Sequence, residues 1–241
     1  MSTDIFTIKI ADINIGIKPR SDSIRDFTKK FLCDEKADFV VGASDKDIEE
    51  ERERMIQYLG WSDASEEALE RLYVYRQIAE KLPDYDAFLI HGAALRIDDK
   101  GYLLSGPSGT GKTTHAKLWK KEFADRMRII NDDKPILRIV DDTIVAYGSP
   151  WSGKEKWYNN NSAPLRAIIF VNQAKENHIE KMDKKQSWDQ IMNQVYRSTE
   201  LNNMKKTLEF VDKMVNTIPI YSLYCNKEQE SVMIAYDEVS K

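Results

Sequence analysis

Cysteine is nearly missing from this chain. Only Cys33 and Cys225 occur, far apart and outside any C-x-x-C spacing, which excludes a disulfide framework and a cysteine-based zinc site and leaves both thiols expected to be reduced. An excess of one charge is missing as well. With 36 Lys and Arg against 40 Asp and Glu, the net charge is −4, so no basic field exists with which to grasp nucleic acid. No uncharged run is long enough to cross a bilayer, and Met1-Ser2-Thr3-Asp4 shows no basic segment leading into an apolar one. The expectation is therefore a cytoplasmic protein with neither a nucleic-acid nor a membrane partner. Repeats, low-complexity tracts and a clear interdomain linker are absent too. The 241 residues read as one large domain or a core with an appended lobe, long enough to bury a substantial core.

What the chain does contain is Gly106-Pro107-Ser108-Gly109-Thr110-Gly111-Lys112-Thr113, a match at every fixed position to the phosphate-binding (Walker A) pattern G-x-x-x-x-G-K-[ST]. The glycines let successive backbone N–H groups face a phosphate, Lys112 supplies a cation for the outer phosphates, and the Thr113 hydroxyl can ligate Mg²⁺. Such a loop should follow a strand and open a helix. Tyr102-Leu103-Leu104 precedes it as a strand-like run, and Leu118, Trp119 and Phe123 follow at the spacing of a buried helical stripe.

Around the motif the pattern is mostly strands. Residues 5–18 alternate apolar and polar around Ala11-Asp12, predicting two half-buried strands, and Asp38–Gly42 predicts another. The acidic run Asp45–Arg54 reads as a solvated helix face. Asp63 with Glu66 resembles a capping box, after which Leu69, Leu72, Arg76, Ala79 and Leu82 form one helical face. Phe88–Ile97 reads as one strand and Asp98-Asp99-Lys100-Gly101 as a tight turn back into the strand before the loop. This antiparallel entry argues against a doubly wound dinucleotide fold, which joins neighbouring parallel strands through helices. Further on, a strand at Arg128–Asn131 is followed by a hairpin turning at Asp141-Asp142. Strands are expected at Leu165–Val171, Ile179–Met182 and Ile218–Tyr224, a helical stretch over 187–216 and a short helix over 227–237. The break near Asp84-Tyr85-Asp86 suggests an N-terminal α/β region over 1–85 packed on a nucleotide core over 86–241 with a C-terminal helical segment.

Binding alone is not transfer, which needs an acid or base and a second metal anchor. Asp132-Asp133, at a strand end, offers one carboxylate for Mg²⁺ and another to accept a proton from an attacking hydroxyl, provided that the chain bends at Lys134-Pro135. An ordinary acidic turn is the alternative, as Asp98-Asp99 and Asp141-Asp142 are expected to be. His91 precedes Gly92, whose missing side chain permits close approach of a backbone or ligand; a satisfied core histidine is the alternative. Gly148-Ser149-Pro150-Trp151-Ser152-Gly153-Lys154 reads either as a mobile loop over the site or as a packing anchor at Trp151 beside a solvated Lys154. Arg166 could meet a phosphate or an acidic partner, and the residues do not choose.

Taken together, Ile90-His91-Gly92, the hairpin, the phosphate loop and Asn131-Asp132-Asp133 resemble the catalytic domain of bacterial HPr kinase/phosphorylase. With Gly148–Lys154 added, they resemble more closely the shorter HPr-kinase-related serine kinases, over about residues 88–172. The resemblance implies an α/β (mixed α+β) fold with a phosphoenolpyruvate-carboxykinase-like P-loop core, its largely antiparallel or mixed sheet flanked by helices. It also implies ATP and Mg²⁺ as cofactors and phosphorylation of a serine hydroxyl on a peptide or small protein. By position it implies Asp132 as general base, Asp133 with Thr113 as metal ligands, His91 and Lys112 as catalytic residues, and Gly106, Pro107, Ser108, Gly109, Thr110, Gly111, Lys112, Thr113 and Thr114 as the cofactor-binding set. A homo-oligomer is implied on the same ground. Thr114 stands where the family has an acidic residue, and the family's Pro-Gly-Arg-Asn segment has no counterpart, so the acceptor implied is not HPr. The alternative is a nucleotide-binding regulatory or accessory protein of the same fold that transfers nothing.

Overall fold

The computed structural model describes residues 4–241, the Leu59 side chain excepted. Met1, Ser2 and Thr3, on which the expectation about a leader partly rests, lie outside the described residues. The chain divides into two compact units, one ending at Leu82 and the other Pro83–Lys241.

In the first unit, β1 (Phe6–Ile10) and β2 (Ile13–Lys18) form the expected hairpin. Ala11 and Asp12 take φ of 52° and 56°, the left-handed pair that a two-residue turn needs to match strand twist. The alternating isoleucines face inward, with Ile8, Ile10, Ile15 and Ile17 fully buried. After α1 (Asp22–Phe27), β3 (Leu32–Cys33) pairs with β1 and β4 (Phe39–Gly42) with β2, giving the order β3-β1-β2-β4. Next come α2 (Asp45–Leu59) and α3 (Glu66–Lys81).

The caps correct one expectation. α3 is capped by Ser65, which accepts from the Ala68 N–H, and not by Asp63. A reciprocal capping box does occur in this unit, on α2 between Ser44 and Asp47. The acidic face of α2 is solvated except at Glu51, which is buried and ion-paired with Arg76 of α3. That pair explains a cation inside the otherwise apolar face of α3.

The second unit contains β5 (Ala87–Leu89), β6 (Gly92–Ile97), β7 (Lys100–Ser105), α4 (Lys112–Phe123), β8 (Met127–Asn131), β9 (Ile136–Val140) and β10 (Thr143–Tyr147). It continues through β11 (Ser162–Gln173), β12 (His178–Lys181), α5 (Lys184–Met192), α6 (Leu201–Thr217), β13 (Ile220–Cys225) and α7 (Glu230–Val239). Among the described residues its strands join in one mixed sheet of order β5-β9-β10-β11-β7-β6-β8, with β13 on β11 and β12 on β13. Among the described residues of this sheet, only β11 with β7 and β11 with β13 pair in parallel. The fold is thus mixed α/β, its mixed sheet flanked by helices.

β7 is buried on both faces. Tyr102 and Leu104 meet Trp119, Phe123 and Val232 on one side, while Leu103 meets Ile130, Phe210 and Met214 on the other. That is why the strand reads as a continuous apolar run. Each side chain of this size contributes about 1.5–3 kcal/mol on full burial. The strip between two such layers holds the phosphate loop, so the loop is anchored to a rigid sheet.

Two sequence expectations change here. Phe88–Ile97 is not one strand, because β5 pairs with β9 while β6 pairs with β7, and the chain switches neighbours at Ile90-His91. Nor is 187–216 one helical stretch. α5 and α6 are separated by 193–200, whose Val195 forms an antiparallel bridge with Ile90. The apolar spacing of Ile191 and Val195 continues a helical period, but the backbone of 194–196 pairs with Leu89–His91, where β5 gives way to β6.

Candidate active site

β6 and β7 form the hairpin read from the sequence, with Gly92 opposite Ser105. Immediately after β7 the chain enters the phosphate loop, where Gly106, Gly109 and Gly111 take φ of 130°, 86° and 105°, conformations costly for any residue with a Cβ. Gly111 caps α4, so Lys112, Thr113 and Thr114 sit in the first turn, at the positive end of the helix dipole. The Lys112 ammonium curls over the loop and donates to the carbonyls of Gly106 (2.8 Å) and Pro107 (2.9 Å). Burial pulls its pKa below the ordinary lysine value.

Facing the loop is an open cavity of about 510 Å³. Along with Ser108, Gly109, Gly111, Lys112, Thr113 and Thr114, it is lined by His91, Asp132, Asp133 and Lys154. Residues as far apart in sequence as His91 and Lys154 are thereby gathered on one surface. Gly106, Pro107 and Thr110 of the expected set are not on its lining. Thr110 faces a second cavity of about 560 Å³ on the other flank of the loop, bounded by Leu118, Val171, Gln173, Ala174 and Asn226. Gly109, Gly111 and Thr114 border both cavities.

β8 ends at Asn131, and there the chain turns as anticipated. The Asn131 side chain, fully buried, makes that turn: its Oδ1 accepts from the N–H groups of Asp133 (2.9 Å) and Lys134 (2.6 Å). Its Nδ2 donates to the carbonyls of Ser149 (3.0 Å) and Trp151 (2.9 Å), and the Ser149 hydroxyl donates to the Lys134 carbonyl (2.7 Å). One asparagine therefore fixes the acidic pair and the 148–154 loop together. Trp151 is buried, as the packing-anchor reading of this loop expects. At Gly148 a Cβ would overlap the Asn159 carbonyl, which explains the glycine.

The two carboxylates face different surroundings. Asp132 is buried, its Oδ1 accepting from the Gly153 N–H (2.7 Å) and its Oδ2 from the Trp157 N–H (3.4 Å). Burial pushes its carboxyl above the ordinary aspartate value despite those hydrogen bonds. Burial also works to raise Asp133, but the hydrogen bond from His91 and the charges of Lys134, His91 and Lys112 outweigh it and hold its carboxyl below the ordinary value. His91 Nε2 lies 3.3 Å from Asp133 Oδ1. A Cβ on Gly92 would strike the Leu104 carbonyl at 2.8 Å, so the close approach anticipated there is to a backbone.

Residues 60–229 match the family described as SynChlorMet cassette protein ScmC. The chain belongs to the ScmC family. No curated protein matches it. Among solved structures, this ScmC-family chain is similar to the HPr(Ser) kinase/phosphatase from Coxiella burnetii, at 12% identity over 63% of this chain and 96% of that one, with a TM-score of 0.33. That likeness is too weak to carry an assignment.

Several residues of the ScmC-family site lay outside the sequence reading. Asn131 entered it only as part of a motif, and Gln194 not at all, although it is buried against His91. The signal for Asn131 was a polar residue ending an apolar strand. Lys117 was also missed: it pairs with Glu155 at 2.7 Å and, with Lys120, lies over the Trp157 ring, holding the 153–157 segment to α4. Arg166 sits at a bulge on β11, its charge near Tyr102 and Tyr221, and does not line the cavity. Among the described residues no group of three or more His, Cys, Asp or Glu is gathered as a metal site, and no helix is long and apolar enough to cross a membrane.

His115, on the buried side of α4, is structural. It accepts from Trp119 Nε1 at 2.8 Å, and Ser231 Oγ lies 3.3 Å from its Nε2. Burial pulls its pKa from 6.5 to about 4. The unfolded chain therefore takes up the proton first, and the stability held above pH 6.5 should be lost as the pH falls toward about 4. The loss should be about 3 kcal/mol. Urea denaturation across that range checks it, since His115→Gln should flatten the decline; equal slopes in both proteins would refute the assignment.

Proposed function

We propose that this chain is an ATP-dependent kinase that transfers the γ-phosphate to a serine hydroxyl of a peptide or protein, assisted by Mg²⁺, with Asp132 as general base. The observation that carries the reading is the pair Asp132 and Asp133, facing the phosphate loop across one cavity in environments that drive their acidities apart. Divergence of this kind between neighbouring carboxylates separates a proton acceptor from a group that stays anionic. The raised carboxylate, Asp132, accepts the proton of the attacking hydroxyl. Asp133 stays charged beside His91 and Lys112.

Mg²⁺, when bound, neutralises the outer phosphate oxygens. Thr113 and Asp133, which line the same cavity, would hold it, and one hydroxyl with one carboxylate meets the small protein share that Mg²⁺ requires beside phosphate and water. The loop N–H groups and Lys112 bind and orient the phosphates. The second cavity, apolar at Leu118, Val171 and Ala174 and polar at Gln173 and Asn226, has the size and chemistry for a nucleoside joined to them. Catalysis in this site is positioning and electrostatics.

The test is transfer of labelled γ-phosphate from ATP, with Mg²⁺, to serine-containing peptides and to proteins encoded near this gene. Labelled acceptor that disappears with Asp132→Asn is the expected outcome. Tight ATP binding with no labelled acceptor would favour an accessory protein instead.

A further inference from the structure

Where the chain passes from β5 to β6 at Ile90-His91, the 194–196 connector pairs with the edge that β9 leaves open. Ile90 bridges Val195, the His91 N–H donates to the Gln194 carbonyl (2.9 Å), and the Tyr196 N–H donates to the Leu89 carbonyl (2.8 Å). The same contact brings two side chains together from 103 residues apart: Gln194 Oε1 lies 3.0 Å from His91 Nδ1. Gln194 is only 8% exposed, and a buried amide that gave up this partner would lose a hydrogen bond it cannot recover from water. On the opposite side of the ring, Nε2 lies 3.3 Å from Asp133 Oδ1. The backbone of that carboxylate is tied to the same break, its carbonyl accepting from the Gly92 N–H at 3.0 Å, while the Ser105 hydroxyl donates to the His91 carbonyl at 2.9 Å.

We infer that Gln194 is a positioning residue of the active site, its side-chain amide hydrogen-bonded to His91 Nδ1 so that the ring is locked with Nε2 toward Asp133 and the phosphate-facing cavity. An amide carries both a donor and an acceptor, so it serves Nδ1 in either tautomer, and what it fixes is the orientation of the ring. Without it the imidazole turns about its Cα–Cβ and Cβ–Cγ bonds, and Asp133 loses its contact with His91. Gln194 touches neither reactant. This role deepens the kinase reading and rests on it for its catalytic consequence, but its structural content stands apart.

Two measurements separate the parts. In NMR spectra of the full chain, the two imidazole nitrogens of His91, assigned by their loss in His91→Asn, should give separate resonances of one fixed ring in the wild type, and Gln194→Leu should shift the Nδ1 resonance. In the transfer assay, Gln194→Leu should lower kcat by about 10- to 100-fold with the KM for ATP unchanged. Gln194→Leu combined with His91→Asn should be no slower than His91→Asn alone. A His91 Nδ1 resonance that Gln194→Leu leaves unmoved overturns the inference whether or not any acceptor is found. Additive losses in the double variant, or unchanged kcat in Gln194→Leu, overturn its catalytic part. Failure of the wild type to phosphorylate any acceptor, with the Nδ1 resonance shifted by Gln194→Leu, tells against the kinase reading alone.

Discussion

Asp132→Asn is expected to slow phosphate transfer by about 10³-fold while leaving MgATP affinity within about threefold of the wild type. The substitution suits the site because it removes basicity and little else. Asparagine keeps an oxygen for the Gly153 N–H, the 2.7 Å bond that holds the following loop against the acidic pair. The neighbouring Asp133 and the loop N–H groups, which would meet the phosphates, are untouched. Asp132→Ala would be a poorer experiment, since it frees Gly153 and Trp157 and disturbs Lys154 on the cavity wall. Single-turnover transfer measured beside an ATP titration checks the split. Transfer at the wild-type rate would make Asp132 a loop clamp and move the search for the base elsewhere.

The second large effect concerns binding. Lys112→Ala should weaken MgATP by about 100-fold, about 2.7 kcal/mol, the range of a charge-assisted contact made in a partly dry site. Lys112 is 8% exposed, its ammonium already held over the loop by the Gly106 and Pro107 carbonyls. On the proposed reading a short movement would exchange those carbonyls for phosphate oxygens, with little conformational freedom lost on binding. Burial that lowers the lysine pKa also makes the charge valuable, because a phosphate restores the interactions that water would have provided. Lys112→Arg should rescue poorly, since a planar guanidinium does not fit where a compact ammonium sits. Calorimetric titration with MgATP is the direct check. Unchanged affinity in Lys112→Ala would refute the phosphate-loop reading altogether.

Much of this architecture was legible along the chain. The eight-residue loop motif, the hairpin entering it, the isoleucine alternation of β1 and β2 and the aspartate turns at Asp98 and Asp141-Asp142 all follow from local stereochemistry. Adjacent residues decide these features, so a string of letters carries them. The bend after Asn131 was legible for the same reason, because Pro135 excludes helical backbone just before it.

What only the tertiary structure decided lies across long separations. Nothing in the composition of 193–200 says that it leaves the helical path to pair with the edge at Ile90, and helical spacing there points the other way. Asp132 and Asp133 are identical letters. Packing buries one beneath Gly153 and surrounds the other with His91, Lys134 and Lys112, and their chemistry diverges through that packing. Gln194 meets His91 only because two strands exchange neighbours. Periodicity reports how a backbone repeats over a few residues. The electrostatic environment of a side chain is set by whatever the fold brings within a few ångströms of it, and here that partner stands 103 residues away.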